Sequence, residues 1–211
     1  MLSDKSLAWL VMAAVFLELV LIFLLATPNT AAGARDIESR NTAEILGKQR
    51  AKTASEFASR YFTAHFVDTG LVKNVRAALI PSDEQKARAT GMENFLPGLF
   101  VWVGVRLEGF WAMIYSSYHR LYVMGFMLMF SLPAILPTLI DGLVERRISI
   151  EINDVAKPVF FHGAKKVLTI LFVMPLFILF LPIPVSGAIW FGWLILLPTF
   201  MWITAKNVQE L

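Results

Sequence analysis

The residues able to do chemistry in this chain are few and scattered. Glu18 stands alone in an otherwise uncharged run, residues 7–27. An ionisable side chain inside a lipid-spanning helix is costly, so it marks a proton carrier, a buried charge pair or a polar helix–helix contact. Arg106 and Arg120 are the cations that could pair with it. Ser116, Ser117 and His119 are the residue types of a serine peptidase, and they lie close together in sequence. Such an enzyme also needs a base within hydrogen-bond reach of the nucleophile and an oxyanion site, and no GxSxG pattern accompanies these residues. His65, His119 and His162 share no ligand spacing, and the chain has no cysteine. A metal site and a disulfide are therefore not expected. Neither a P-loop nor a dinucleotide fingerprint is present, so no cofactor is expected and no catalytic residue is assigned.

A second polar group follows a long apolar stretch without warning: Asp141-Gly142-Leu143-Val144-Glu145-Arg146-Arg147. Asp141, Gly142, Glu145, Arg146 and Arg147 are candidates for a docking elbow that meets a cytoplasmic partner. The plainer reading is a helix leaving the membrane through a charged, positive-inside anchor.

These groups must be positioned by apolar helices. The chain of 211 residues is 57% hydrophobic with a mean hydropathy of +0.63, against ~45–50% apolar residues in soluble domains. Lipid is the expected solvent. The net charge of +3 fits the excess of cytoplasmic lysine and arginine in membrane proteins. No clustered basic face supports direct nucleic-acid binding.

Residues 1–28 form the first expected transmembrane helix, retained because its apolar run exceeds that of a cleaved signal peptide. Residues 29–95 are different, rich in Ala, Glu, Lys and Arg, and predict an extramembrane amphipathic helical segment. Phe57, Tyr61 and Ala64 recur at helical spacing, as do Leu71, Val75 and Leu79, with Gly70 a breaker between them. Ser82 and Gln85 suit a capping box that starts a further short helix. Residues 96–120 predict an interfacial helix. Arg106 and Glu108 would cost ~5–7 kcal/mol at the centre of a span, whereas tryptophan and tyrosine favour the headgroup boundary.

Residues 121–140 are uncharged and match the ~20 residues of a bilayer-crossing helix. Pro133 and Pro137 should loosen it. Residues 141–166 read as a cytoplasmic loop. Residues 167–205 hold no charge over 39 positions. As one helix they would run about 58 Å, near twice the bilayer core. They must turn back, at Pro182-Ile183-Pro184-Val185-Ser186-Gly187, as a tight transmembrane hairpin with a short cytoplasmic tail, 206–211. Trp190, Trp193 and Trp202 suit the interfaces. The expected fold is thus all-α and polytopic, with about four transmembrane helices. Near the spans, seven basic residues lie on the side holding both termini and four on the other. This puts both termini in the cytoplasm and residues 28–118 outside it.

Several of these runs resemble one family. Tyr118-His119-Arg120-Leu121, Leu132-Pro133-Ala134, Ile140-Asp141-Gly142-Leu143-Val144-Glu145-Arg146, His162-Gly163-Ala164-Lys165-Lys166 and the corner at Pro182 and Pro184 are similar to small inner-membrane proteins of integrating conjugative elements and conjugative plasmids. The resemblance implies a non-enzymatic component of conjugative DNA transfer by type IV secretion. It also implies that the membrane is a bacterial inner membrane and that the outside, where residues 28–118 lie, is its periplasm. Its partners would be the lipid bilayer and the coupling ATPase or other secretion-channel subunits, and any DNA role would come through them. Two other functions compete with it. One is an intramembrane peptidase acting on a pilin or secretion substrate through Ser116 or Ser117 with His119. The other is a small proton-coupled carrier using Glu18, with a homo-oligomer supplying the pathway.

Overall fold

A computed structural model describes residues 4–81, 97–152 and 158–208. The described residues are helical and contain no strand. Helices α1 (Asp4–Leu25), α2 (Pro28–Leu46) and α3 (Lys48–Phe62) are followed by a π-helical turn (Thr63–Val67) and α4 (Leu71–Leu79). Then come α5 (Pro97–Glu151), α6 (Pro158–Phe180) and α7 (Gly187–Lys206). Helices α5, α6 and α7 are each long and apolar enough to cross a membrane. Met12–Leu25 and Pro28–Leu46 pass the same test together as a pair bent by 113°, which makes up to four spans. The expected polytopic all-helical architecture is the one observed.

The outward faces of these helices carry large apolar side chains. Met129 and Phe130 on α5 are 72% and 70% exposed, and Phe16, Phe172 and Ile195 are likewise open. A surface of this kind needs a lipid or protein cover.

The chain divides into two compact units. The first comprises Met1–Tyr122 and Leu179–Val185. Its α1–α2 corner is built from local chemistry. Thr27 caps α2 by accepting from Thr30 N, and the Thr30 hydroxyl accepts in return from Thr27 N at 2.8 Å. Pro28 sits in the first turn of α2, where a missing N–H costs nothing. The corner rests on α5 at Gly109. A Cβ added there would lie 2.5 Å from the Ala26 carbonyl oxygen and 2.9 Å from Thr27 Cα. The core beside it is Ile22, Ala26, Ala31, Ala34 and Met113.

Helix α2 ends and α3 begins at Gly47, whose φ of +84° favours glycine. The buried faces are Ala31, Ala34, Glu38 and Thr42 on α2, and Ala51, Ala54 and Ala58 on α3. The expected face of Phe57, Tyr61 and Ala64 is therefore corrected: Ala64 is exposed and Tyr61 is 39% exposed. Small side chains let backbones approach closely, and so they win the buried stripe over the larger residues. Phe57 and Tyr61 instead join a row of rings with His65, Tyr118 and Tyr122. Gly70, at φ +75°, separates the π-turn from α4. The expected cap at Ser82 lies outside the described residues.

The second unit comprises Val123–Ile178 and Ser186–Leu211. Ile135, Leu171, Trp193 and Leu197 form its core. Trp190 and Trp193 are buried, and Trp193 Nε1 donates to Leu171 O at 2.8 Å. Helix α5 continues through 120/121 and 140/141 to Glu151 as one helix of 55 residues, with Pro133 and Pro137 inside it. The expected loop 141–166 is helical at both of its ends, since α6 starts at Pro158.

Gly109→Ala should destabilise the protein by ~1–3 kcal/mol, because the atoms it meets are backbone and cannot swing aside. Gly125→Ala, which meets nothing within 4 Å, should be neutral or stabilising by up to ~1 kcal/mol. Thermal unfolding of the two full-length variants in detergent checks this. Equal midpoints would contradict the close approach.

Candidate functional site

The hairpin corner creates a local problem. The last carbonyls of α6 have no intrahelical donor. Pro182 and Pro184 contribute no N–H to a turn that could satisfy them. In the first unit these carbonyls are met by Arg120, an α5 side chain that is 3% exposed. Its Nη1 donates to Leu179 O at 3.2 Å and to Leu181 O at 2.6 Å, and its Nη2 donates to Ile183 O at 2.9 Å. Ser117 Oγ adds a second donor to Leu179 O at 2.7 Å.

The charge of Arg120 is balanced by Glu38 of α2. Arg120 Nε donates to both Glu38 carboxylate oxygens, at 3.0 and 3.2 Å, and Nη2 makes a further short bond to Oε1. Glu38 Oε1 also accepts from Val185 N at 3.0 Å, and Asn41 Nδ2 donates to Val185 O at 3.3 Å. One arginine fork and one carboxylate thus hold both strands of hydrogen-bonding groups in residues 179–185. The guanidinium suits this role because its rigid donors point several ways at once.

The expected site residues fall into three groups. Glu18 is buried, and its Oε2 has no hydrogen-bond partner. The Arg120 fork grips Glu38. Arg106 goes elsewhere: its Nη1 donates to Leu25 O and Ala26 O at 3.0 and 3.3 Å, capping the end of α1. Ser116 Oγ donates to Ala112 O, and Ser117 Oγ to Met113 O and Leu179 O. Buried His119 Nε2 has no hydrogen-bond partner. The hydroxyl protons that a peptidase would pass to a histidine are committed to carbonyls.

In the second unit the elbow residues turn inward. Trp202 Nε1 donates to Asp141 Oδ2 at 2.7 Å, and Lys206 Nζ donates to Glu145 Oε1 at 2.7 Å. Arg146 Nε donates to Val208 O. Gly142 is buried, and a Cβ there would lie 2.9 Å from Ala205 Cβ and 3.0 Å from Trp202 O. Helix α5 runs on past 141 because these residues fasten it to the end of α7. Arg147 is exposed.

Glu38, which completes this cluster, carries no motif in the sequence. It lies among eight acids in residues 30–94. Its signal is position: it shares a helical face with Ala31, Ala34 and Thr42. No group of three or more His, Cys, Asp or Glu residues able to hold a metal occurs among the described residues.

A family model for IncC plasmid conjugative DNA transfer proteins, DtrJ-like, matches residues 25–209. The chain belongs to this DtrJ-like family. The match spans both clamps, the Arg120–Glu38 pair and the Asp141–Arg146 fastening. Comparison with curated proteins and with solved structures finds no match. A conjugation-related role and membrane association follow from the family and the apolar helices.

Breaking a buried ion pair from one side leaves an uncompensated charge, at a cost of ~3–5 kcal/mol. Arg120→Met and Glu38→Leu should each destabilise the DtrJ-like protein by about that much. The double variant should lose clearly less than the sum of the two. Denaturation in detergent micelles measures the cycle, and simple additivity would refute the pairing.

Proposed function

We propose that this DtrJ-like protein is a non-enzymatic inner-membrane component of a type IV secretion apparatus for conjugative DNA transfer. In this role it assembles with the coupling ATPase or a neighbouring channel subunit. The observation that carries the reading is the family match over most of the chain. Three further features support it. Apolar helices give it a membrane location. No nucleotide-binding motif gives it an energy source of its own. The side chains with chemical potential, Arg120, Glu38 and Ser117, are engaged in holding the backbone.

The docking surface in this reading is the end of α5, on the side of the cytoplasmic elbow. Asp141, Gly142, Glu145 and Arg146 face α7, so a partner meets what remains open. Leu143, Val144 and Ile148 are more than half exposed, and Arg147 lies beside them. An apolar patch with one arginine is the composition of an interface centre. Both termini lie in the cytoplasm in this arrangement, and residues 28–118 lie in the periplasm.

Affinity isolation of the tagged full-length protein from detergent-solubilised donor membranes should recover the transfer ATPase or a channel subunit. Val144→Asp combined with Arg147→Glu should lower that recovery at least tenfold without changing the amount of membrane-inserted protein. Recovery of neither partner by the parent protein would count against the whole reading. Full recovery by the double variant would move the surface elsewhere.

A further inference from the structure

Helix α4 is out of keeping with the polar segment that contains it. Its sequence, Leu71-Val72-Lys73-Asn74-Val75-Arg76-Ala77-Ala78-Leu79, carries two cations and no acid. At 3.6 residues per turn, Leu71, Val72, Val75, Ala78 and Leu79 share one face, with Ala77 on the opposite side. Among the described residues that apolar face is only partly covered: Leu71 is 42% and Leu79 44% exposed, while Val72 and Val75 are half-buried. Val67, in the π-turn just before it, is half exposed.

Two contacts fix α4 beside one level of α5. Arg76 Nη1 lies 3.7 Å from Glu108 Oε1. Ile80 Cδ1 would meet a Cβ on Gly104 at 3.4 Å. This level of α5 holds Arg106 and Glu108 with Trp102 and Trp111 nearby, a mixture of charges and aromatic rings that suits the headgroup boundary of a bilayer. The face is therefore apolar, with Arg76 near its edge, and it lies beside a level of α5 whose residue types suit a headgroup boundary.

We propose that α4 is an in-plane membrane anchor, with Leu71, Val75 and Leu79 in the acyl boundary and Arg76, at the edge of that face, near anionic lipid headgroups. A short amphipathic helix with basic flanks binds such a surface through its buried apolar area and its charges together. This inference rests on the chain's crossing a membrane and not on which protein it meets.

The chain's lack of cysteine makes the test clean. Full-length protein with a single cysteine in place of Leu71, Leu79 or Ala77 is labelled with an environment-sensitive fluorophore. It is then reconstituted in phosphatidylcholine–phosphatidylglycerol vesicles with or without brominated acyl chains. Labels at 71 and 79 should be quenched by the brominated lipid at least twofold more than the label at 77. Two apolar-face positions guard against one variant failing to insert. Lack of quenching at both 71 and 79, as cover by a second copy would give, would overturn the proposal. Equal quenching at all three positions would overturn it too.

Discussion

A polypeptide that turns back between two apolar helices leaves carbonyl oxygens at the turn with no helical donor. Where water is scarce each such oxygen costs several kcal/mol unless another part of the protein reaches it. In this chain the turn contains Pro182 and Pro184, which remove donors as well. The need to satisfy Leu179, Leu181 and Ile183 is met by one guanidinium, and the arrangement of the first unit follows from it. Arg120 must be buried to reach them. A buried arginine needs a carboxylate, so Glu38 must face inward. Helix α2 must then lie against α5, and the sharp bend between α1 and α2 lets it do so. The Thr27–Thr30 cap, the Arg106 cap and the side-chain-free surface of Gly109 make that bend affordable.

The second unit repeats the logic with other groups. The end of α7 is fastened to α5 by an indole N–H, an ion pair and an arginine–carbonyl bond, around a glycine that admits close contact. In both units polar side chains of α5 satisfy or fasten the ends of neighbouring helices.

Much of this was legible in the sequence because hydropathy reports solvent directly. The uncharged run at 167–205 was too long for one span, and Pro182 to Gly187 was the evident place to turn; α6 stops at Phe180 and α7 starts at Gly187. Gly70 was a visible breaker. Three things were hidden. The buried stripe of α2 and α3 is mostly alanine, with Glu38 and Thr42, and the burial of alanine is decided by how closely helices approach and not by its own hydrophobicity. Glu38 looked like any solvated acid, since its partner is 82 positions away. The Asp141-Gly142 pair read as the polar edge where a helix leaves the membrane, because it follows twenty uncharged residues. Its use as a contact surface for α7 depends on a residue 60 positions downstream or more. Long-range pairing of this kind leaves no local periodicity to read.

The central claim is that the Arg120–Glu38 pair holds residues 179–185 against α2. It can be tested in intact membranes by placing cysteines at Asn41 and Val185 of this cysteine-free chain and treating the cells with a short bifunctional thiol reagent. The account predicts efficient intramolecular cross-linking in the parent background and its loss when Arg120→Met is added. Cross-linking that persists undiminished in the Arg120 variant would contradict it.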